Sequence, residues 1–138
     1  MAYSREIIGR ISSVTISQDP SGKYYASILF ETEYEYLPKS NNSIGIDLGI
    51  KDLAICSDNN TYKNINKTQT VKNLEKRKRR LQRSVSRRYE KNKKGASYCK
   101  TSNIIKREKE LLKLNHRLTN IRQNYLHQTT SEIIKREP

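Results

Sequence analysis

Strict alternation governs the start of the chain. Residues 7–16 set Ile7, Gly9, Ile11 and Ser13 against Ile8, Arg10, Ser12 and Val14, which is the period-2 pattern of a strand. Asp19-Pro20-Ser21-Gly22 follows as a turn, and a second alternating run covers residues 24–32. There Tyr25, Ser27 and Leu29 oppose Tyr24, Ala26, Ile28 and Phe30. Two such runs around a Pro/Gly turn predict an antiparallel hairpin. Glu31, Glu33 and Glu35 keep one side of the outgoing strand solvated. Residues 37–42 (Leu-Pro-Lys-Ser-Asn-Asn) have linker composition.

A second β unit begins at Ser43. Strands are expected over residues 44–48, 53–57 and 61–65, with turns at Gly49-Ile50-Lys51-Asp52 and Asp58-Asn59-Asn60. This is a three-strand meander whose first strand is taken as the innermost. With no further strands to cover it, the meander should expose an apolar edge.

From about residue 68 the period changes to 3.6. Val71, Leu74, Leu81, Val85 and Tyr89 form a thin apolar stripe on a basic helix. Residues 91–103 contain Gly95 and read as a break. Beyond it, Ile104, Leu111, Leu118 and Tyr125 recur every seven residues, with Leu114 and Ile121 on the companion seam. Two helices with one stripe each most simply form an antiparallel hairpin, because neither can bury its stripe alone. The same heptad is also a candidate self-association seam.

Composition narrows the partner. The chain has 138 residues, 33% of them hydrophobic, and a formal net charge of +14. Residues 1–60 hold 5 Lys/Arg against 8 Asp/Glu, and residues 61–138 hold 23 against 6. That asymmetry points to a polyanion, foremost nucleic acid, and less to an anionic membrane. No stretch has the length of an apolar membrane span, and residues 1–13 lack the apolar run of a secretory signal. Cys56 and Cys99 are single and distant, so they read as free thiols in a reducing cytoplasm, without a zinc site.

The cations concentrate at Lys72, Lys76, Arg77, Lys78, Arg79, Arg80, Arg83, Arg87, Arg88, Lys91, Lys93 and Lys94, opposed by Glu75 and Glu90. Like charges at helical spacing repel, and such density suits a surface that phosphates neutralise. The plainer readings are a solvated face or a nuclear-import tract. Tyr89 and Tyr98 have rings able to stack on bases, but Tyr89 fits the apolar stripe better and is assigned to packing. His116 and His127 are too far apart along one helix to share a metal. Asp52 and Asp58 read as turn formers.

One acid stands apart. In Gly45-Ile46-Asp47-Leu48-Gly49-Ile50 an apolar run rises to Asp47 and closes on glycine. A carboxylate placed in a core strand needs a cation or a helix N-terminus, and an acid able to hold Mg²⁺ ahead of a basic surface suggests phosphodiester chemistry. The plainer reading is that Asp47 caps its own turn. A sugar-kinase or actin-like ATPase uses a similar Asp-Leu-Gly turn, but has several hundred residues and places Thr or Ser where Ile50 stands.

The run Gly45 to Ala54, the Lys/Arg-rich helix and then Asn124-Tyr125-Leu126-His127 resemble the TnpB endonucleases of bacterial insertion sequences. These are the OrfB-type transposases, related to the type V CRISPR effectors. The resemblance covers nearly the whole chain and implies an α+β arrangement in four parts. Residues 1–38 would be a β-hairpin remnant of a guide-gripping barrel, and residues 39–42 a linker. Residues 43–66 would be the first unit of a RuvC-like, ribonuclease H-type domain, and residues 67–138 a basic helical hairpin. Asp47 matches the first of three catalytic, metal-binding acids. The family's second acid, a Glu, and its third, an Asp, come later, with a Cys-x-x-Cys ribbon between them. Glu132 and Glu137 lie on or at the end of a helix and do not replace the strand-borne Glu. The expectation is therefore a truncated, bacterial or archaeal, nucleoid-associated protein. It would bind guide RNA or DNA through the twelve cations and would not cleave alone, Mg²⁺ belonging to the full-length family. The alternatives are a small nucleic-acid-binding regulator and half of a reassembled Mg²⁺-dependent nuclease.

Overall fold

The computed structural model describes residues 6–33 and 43–136. Linker residues 37–42, Glu35 and Glu137 lie outside them. The chain divides into two units, Met1–Lys39 and Ser40–Pro138.

The first unit holds an antiparallel hairpin of β1 (Ile11–Gln18) and β2 (Tyr24–Phe30). Asp19 organises its turn. The Asp19 carboxylate accepts from the Ser21 hydroxyl at 2.7 Å and from the Lys23 backbone N–H at 2.9 Å, as expected of an acid that mimics a turn of backbone. The alternation of residues 7–16 does not run unbroken. A bulge between Ile11 and Ser13 sets Ile11 opposite Phe30 and Ser13 opposite Leu29. The extra residue moves Ile11 onto the face of Val14, Ile16, Ile28 and Phe30. Just before β1, Gly9 has φ +113°, and a Cβ there would lie 2.0 Å from the Glu31 carbonyl oxygen. Only glycine allows that approach.

The second unit opens with an antiparallel sheet ordered β3 (Ile46–Leu48), β4 (Asp52–Cys56), β5 (Thr61–Lys63). Here the structure corrects the sequence. The strand carrying Asp47 is an edge strand, not the innermost, and β4 is central. Register pairs Ile46 with Cys56, Asp47 with Ile55 and Leu48 with Ala54. Ala54 and Cys56 are buried, whereas Ile46, Leu48 and Ile50 are 46%, 74% and 87% exposed. An edge strand has one neighbour, so its side chains overhang the covered area. The expected apolar edge is thus present at β3. Asp52 opens β4 opposite Lys63 and is not a turn residue. Asp58 is one: its carboxylate accepts from the Asn60 backbone N–H at 3.1 Å and from the Asn60 side chain. These bonds, chiefly the side-chain one, lower its pKa.

A 3₁₀ turn, Ile65–Lys67, replaces the expected end of the third strand and leads into α1 (Gln69–Lys91). Thr68 caps α1 by accepting from the Val71 N–H. α2 (Ser102–Arg136) is about 52 Å long at 1.5 Å per residue. The break between the helices is itself ordered as a minimal hairpin, β6 (Lys93–Lys94) and β7 (Ser97–Tyr98), turned at Gly95 with φ +60°.

The two helices run antiparallel. Val71 and Leu74 pack with Leu114 and Leu118, flanked by Ile65, Leu81 and Ile121, while Tyr89 at the other end of α1 reaches Glu108. The heptad offered as a self-association seam is therefore occupied within the chain by α1, with Ile104 and Leu118 almost wholly buried. Cutting Leu118 to Ala should lower unfolding free energy by about 2–5 kcal/mol, measured as a reduced urea midpoint with an unchanged denaturant slope.

Candidate nucleic-acid interface

The twelve cations do not form one surface, and the helical period sorts them. Lys72, Lys76, Arg79, Arg83 and Arg87 recur at intervals of four, three, four and four along α1 and are all exposed. At 100° per residue they form a single row about 22 Å long. It lies opposite the stripe of Val71, Leu74, Leu81 and Val85. Arg80 and Lys91 border the row and Arg77 stands further round. All three are exposed. Lys78 and Arg88 fall on the core side and are half-buried, an arrangement in which the stem covers apolar surface and the head reaches water. Lys93 and Lys94 sit on β6, outside the helix. The carboxylate in phase with the row is Glu90, which accepts from the Tyr98 hydroxyl at 3.2 Å.

Cations also line α2, outside the dense block on α1. Lys106, Lys109, Lys113 and Arg117 form a second exposed row with the same spacing. Their spacing is visible in the sequence, thinly spread between the apolar positions of the heptad. Arg122 likewise stands outside the block. Its Nε donates to the Asn66 side-chain oxygen and its Nη2 to Glu75, each at 2.8 Å. Contacts across about fifty residues leave no local pattern.

The connection between the helices holds a polar network. The Tyr89 hydroxyl donates to Glu108 at 2.6 Å, and Lys100 pairs with the same carboxylate at 3.3 Å. The Tyr89 and Tyr98 rings meet edge to face, with Lys93 over the Tyr98 ring. Tyr89 is thus a packing residue as expected, and Tyr98 keeps half its surface exposed. The Tyr89 bond, followed by Lys100, lowers the Glu108 pKa, and the same bond raises that of Tyr89.

Asp47 is exposed on β3, facing the same side as Ile55. The premise that its strand is buried does not hold among the described residues. No group of three or more His, Cys, Asp or Glu able to hold a metal occurs among the described residues. Asp47 alone therefore does not fit a two-ion centre, which needs several carboxylates. Cys56 and Cys99 are free thiols. His116 meets Asn120 at 3.0 Å, and His127 is exposed. Among the described residues no helix is long and apolar enough to cross a membrane.

Residues 27–138 match the family model OrfB_IS605, described as probable transposase. The chain is 33% identical over 133 residues to the Escherichia coli (strain K12) protein named "Putative RNA-guided DNA endonuclease InsQ". That match takes in 96% of this chain and 30% of the relative. It is 27% identical over 124 residues to a Streptomyces pristinaespiralis protein named "Putative RNA-guided DNA endonuclease", across 90% of this chain and 28% of that one. The chain spans less than a third of the length of either relative.

The Glu108 carboxylate has a lowered pKa, so its stabilising contribution is complete above the ordinary value of 4.5 and is lost as pH falls through the lowered value. Tyr89→Phe removes the largest cause of that shift. The urea midpoint of the unsubstituted chain should fall more between about pH 6 and about pH 3 than that of Tyr89→Phe. Equal falls would detach the network from stability.

Proposed function

The chain belongs to the OrfB_IS605 family of probable transposases, the TnpB type, and on that premise we propose that it acts as a nucleic-acid-binding protein of an RNA-guided endonuclease lineage. The α1 row is its contact surface. The observation that carries this reading is the separation of faces on α1, with five exposed cations in register on one side and the apolar seam on the other. A row with steps of three or four residues offers a cation about every 4.5–6 Å of helix rise. Such a surface meets phosphates through charge and N–H donation without reading bases. Guide RNA and DNA are the polyanions that the relatives' names support.

Within this reading the β3–β5 sheet is the first unit of a RuvC-like nuclease fold, the β1–β2 hairpin a piece of a barrel, and Asp47 the first metal-binding acid. Asp47 would supply one carboxylate toward Mg²⁺. A two-ion centre needs further carboxylates beside Asp47, and the activity proposed for the described residues is binding.

Binding should weaken steeply with salt. Replacing Arg79, Arg83 and Arg87 with Ala should reduce the slope of log Kobs against log salt by about 2–3, at roughly 0.7–0.9 per lost phosphate contact. Asp47→Ala should leave affinity unchanged. Filter binding across a salt series measures both, and a salt-independent affinity would sink the reading. Incubation with Mg²⁺ or Mn²⁺ and single- or double-stranded DNA should leave the DNA intact. Cleavage abolished by Asp47→Ala would instead make the chain part of a working nuclease.

A further inference from the structure

Where the start of α1 passes α2, a cleft of about 320 Å³ opens. Lys72, Lys76 and Arg79 reach it from α1 and Arg122 from α2, with Glu75 and Asn66 at its wall and Val71 also lining it. Four cations thus converge on one cavity against one carboxylate. Three of them belong to the α1 row, which becomes concave here and nowhere else along its described length is tied to the second helix by a held guanidinium.

Arg122 is fixed before any ligand arrives. Asn66 takes its Nε–H and Glu75 its Nη2–H, both at 2.8 Å. Glu75 also balances the charge that would otherwise drive Arg122 away from Lys72, Lys76 and Arg79. A guanidinium held in this way loses little conformational freedom on binding, and its planar donor edge suits oxyanions. Mobile surface lysines have no such preparation.

We propose that this cleft is a phosphate seat, and that its occupant is one phosphodiester of a bound polynucleotide. The chemistry selects the ligand: several N–H⁺ donors around one cavity suit a small, multiply accepting anion. The volume lies at the low end of ligand pockets and admits a phosphate together with its flanking sugar. A seat at one end of the α1 row fixes the register of a strand that the rest of the row holds only by charge. This deepens the reading of the α1 row and rests on it for the polynucleotide source. The phosphate chemistry of the cleft stands independently.

Two double variants of the full chain separate the ideas, K76A/R79A inside the cleft and R83A/R87A on the same row beyond it. Each removes two exposed cations from the same helix, so counterion release alone predicts equal losses. The Arg122 Nε–H resonance of a ¹⁵N-labelled chain reports on the cleft, and circular dichroism confirms that both variants stay helical. Inorganic phosphate should shift that resonance saturably in the unsubstituted chain and in R83A/R87A, and fail to do so in K76A/R79A. Chloride at equal ionic strength should not reproduce the shift. A short single-stranded oligonucleotide should displace the phosphate, and K76A/R79A should weaken its binding at least about threefold more than R83A/R87A does. An absent phosphate shift, or equal losses in the two variants, overturns the seat while leaving the row intact. Oligonucleotide binding that leaves the phosphate-shifted resonance in place overturns the polynucleotide source and assigns the cleft to free phosphate. If the oligonucleotide does not bind the unsubstituted chain at all, the reading of the row fails, and the phosphate titration still decides the cleft.

Discussion

The seam between α1 and α2 is the constraint on which the second unit depends. α1 carries cations at nearly every turn, and their mutual repulsion opposes the helix. Its capping threonine and few apolar residues offset that only in part. Helices in proteins draw most of their stability from packing an apolar face, and α1 has one narrow face to pack. Val71 and Leu74 against Leu114 and Leu118 supply the contact. Once that stripe is committed inward, the helical period leaves Lys72, Lys76, Arg79, Arg83 and Arg87 no orientation but outward. The basic row is a consequence of where the apolar residues stand as much as of the cations themselves.

The sheet is tied to this helical pair by polar bonds between residues far apart in sequence. The Tyr125 hydroxyl donates to the Lys63 carbonyl at 2.6 Å, joining α2 to the end of β5. Arg122 spans from α2 to Asn66 in the 3₁₀ turn and to Glu75 on α1. The Asn64 side chain donates back to the Ile50 carbonyl at 2.9 Å, holding the turn after the Asp47 strand, and Arg136 approaches Asp58 at 4.0 Å. Ile65 meanwhile reaches the helical seam. The short segment of residues 63–68 therefore acts as a junction, where strand, 3₁₀ turn and both helices share partners. Arg122 has two tasks there: it stiffens the junction and presents donors to the cleft beside it.

Periodicity made the architecture legible where a residue's role is set by its neighbours in sequence. The hairpin, the three-strand meander and the two antiparallel helices are visible in runs such as Tyr24 to Phe30 and in the sevenfold recurrence of Ile104, Leu111, Leu118 and Tyr125. Features set by distant contacts were not legible. The bulge that brings Ile11 opposite Phe30 depends on pairing with another strand, and strict alternation conceals it. The edge position of β3 depends on sheet order, which hydrophobicity does not encode: Ile46 and Leu48 look like core residues and are exposed. The cleft needs Asn66, Glu75 and Arg122 together, and no spacing rule unites them. The basic block was readable as a density of charge, whereas its division into an exposed row, half-buried Lys78 and Arg88, and the β6 lysines required the phase of a packed helix.

The exposure of Asp47 changes what its sequence context means. A carboxylate buried among isoleucines would need a partner for the fold to survive, and its presence would be explained by that partner alone. On an exposed edge strand the fold imposes no such demand, since water solvates the charge and either face of β3 tolerates a polar residue. The apolar run around the acid is nevertheless at odds with an exposed position. The same reasoning applies to Ile46, Leu48 and Ile50 beside it. Their exposure leaves large apolar side chains uncovered along β3 and the turn after it. The acid and its apolar flanks therefore stand exposed along one edge of the unit, and the basic row on α1 along another. The junction at residues 63–68 is what holds the two in a single unit.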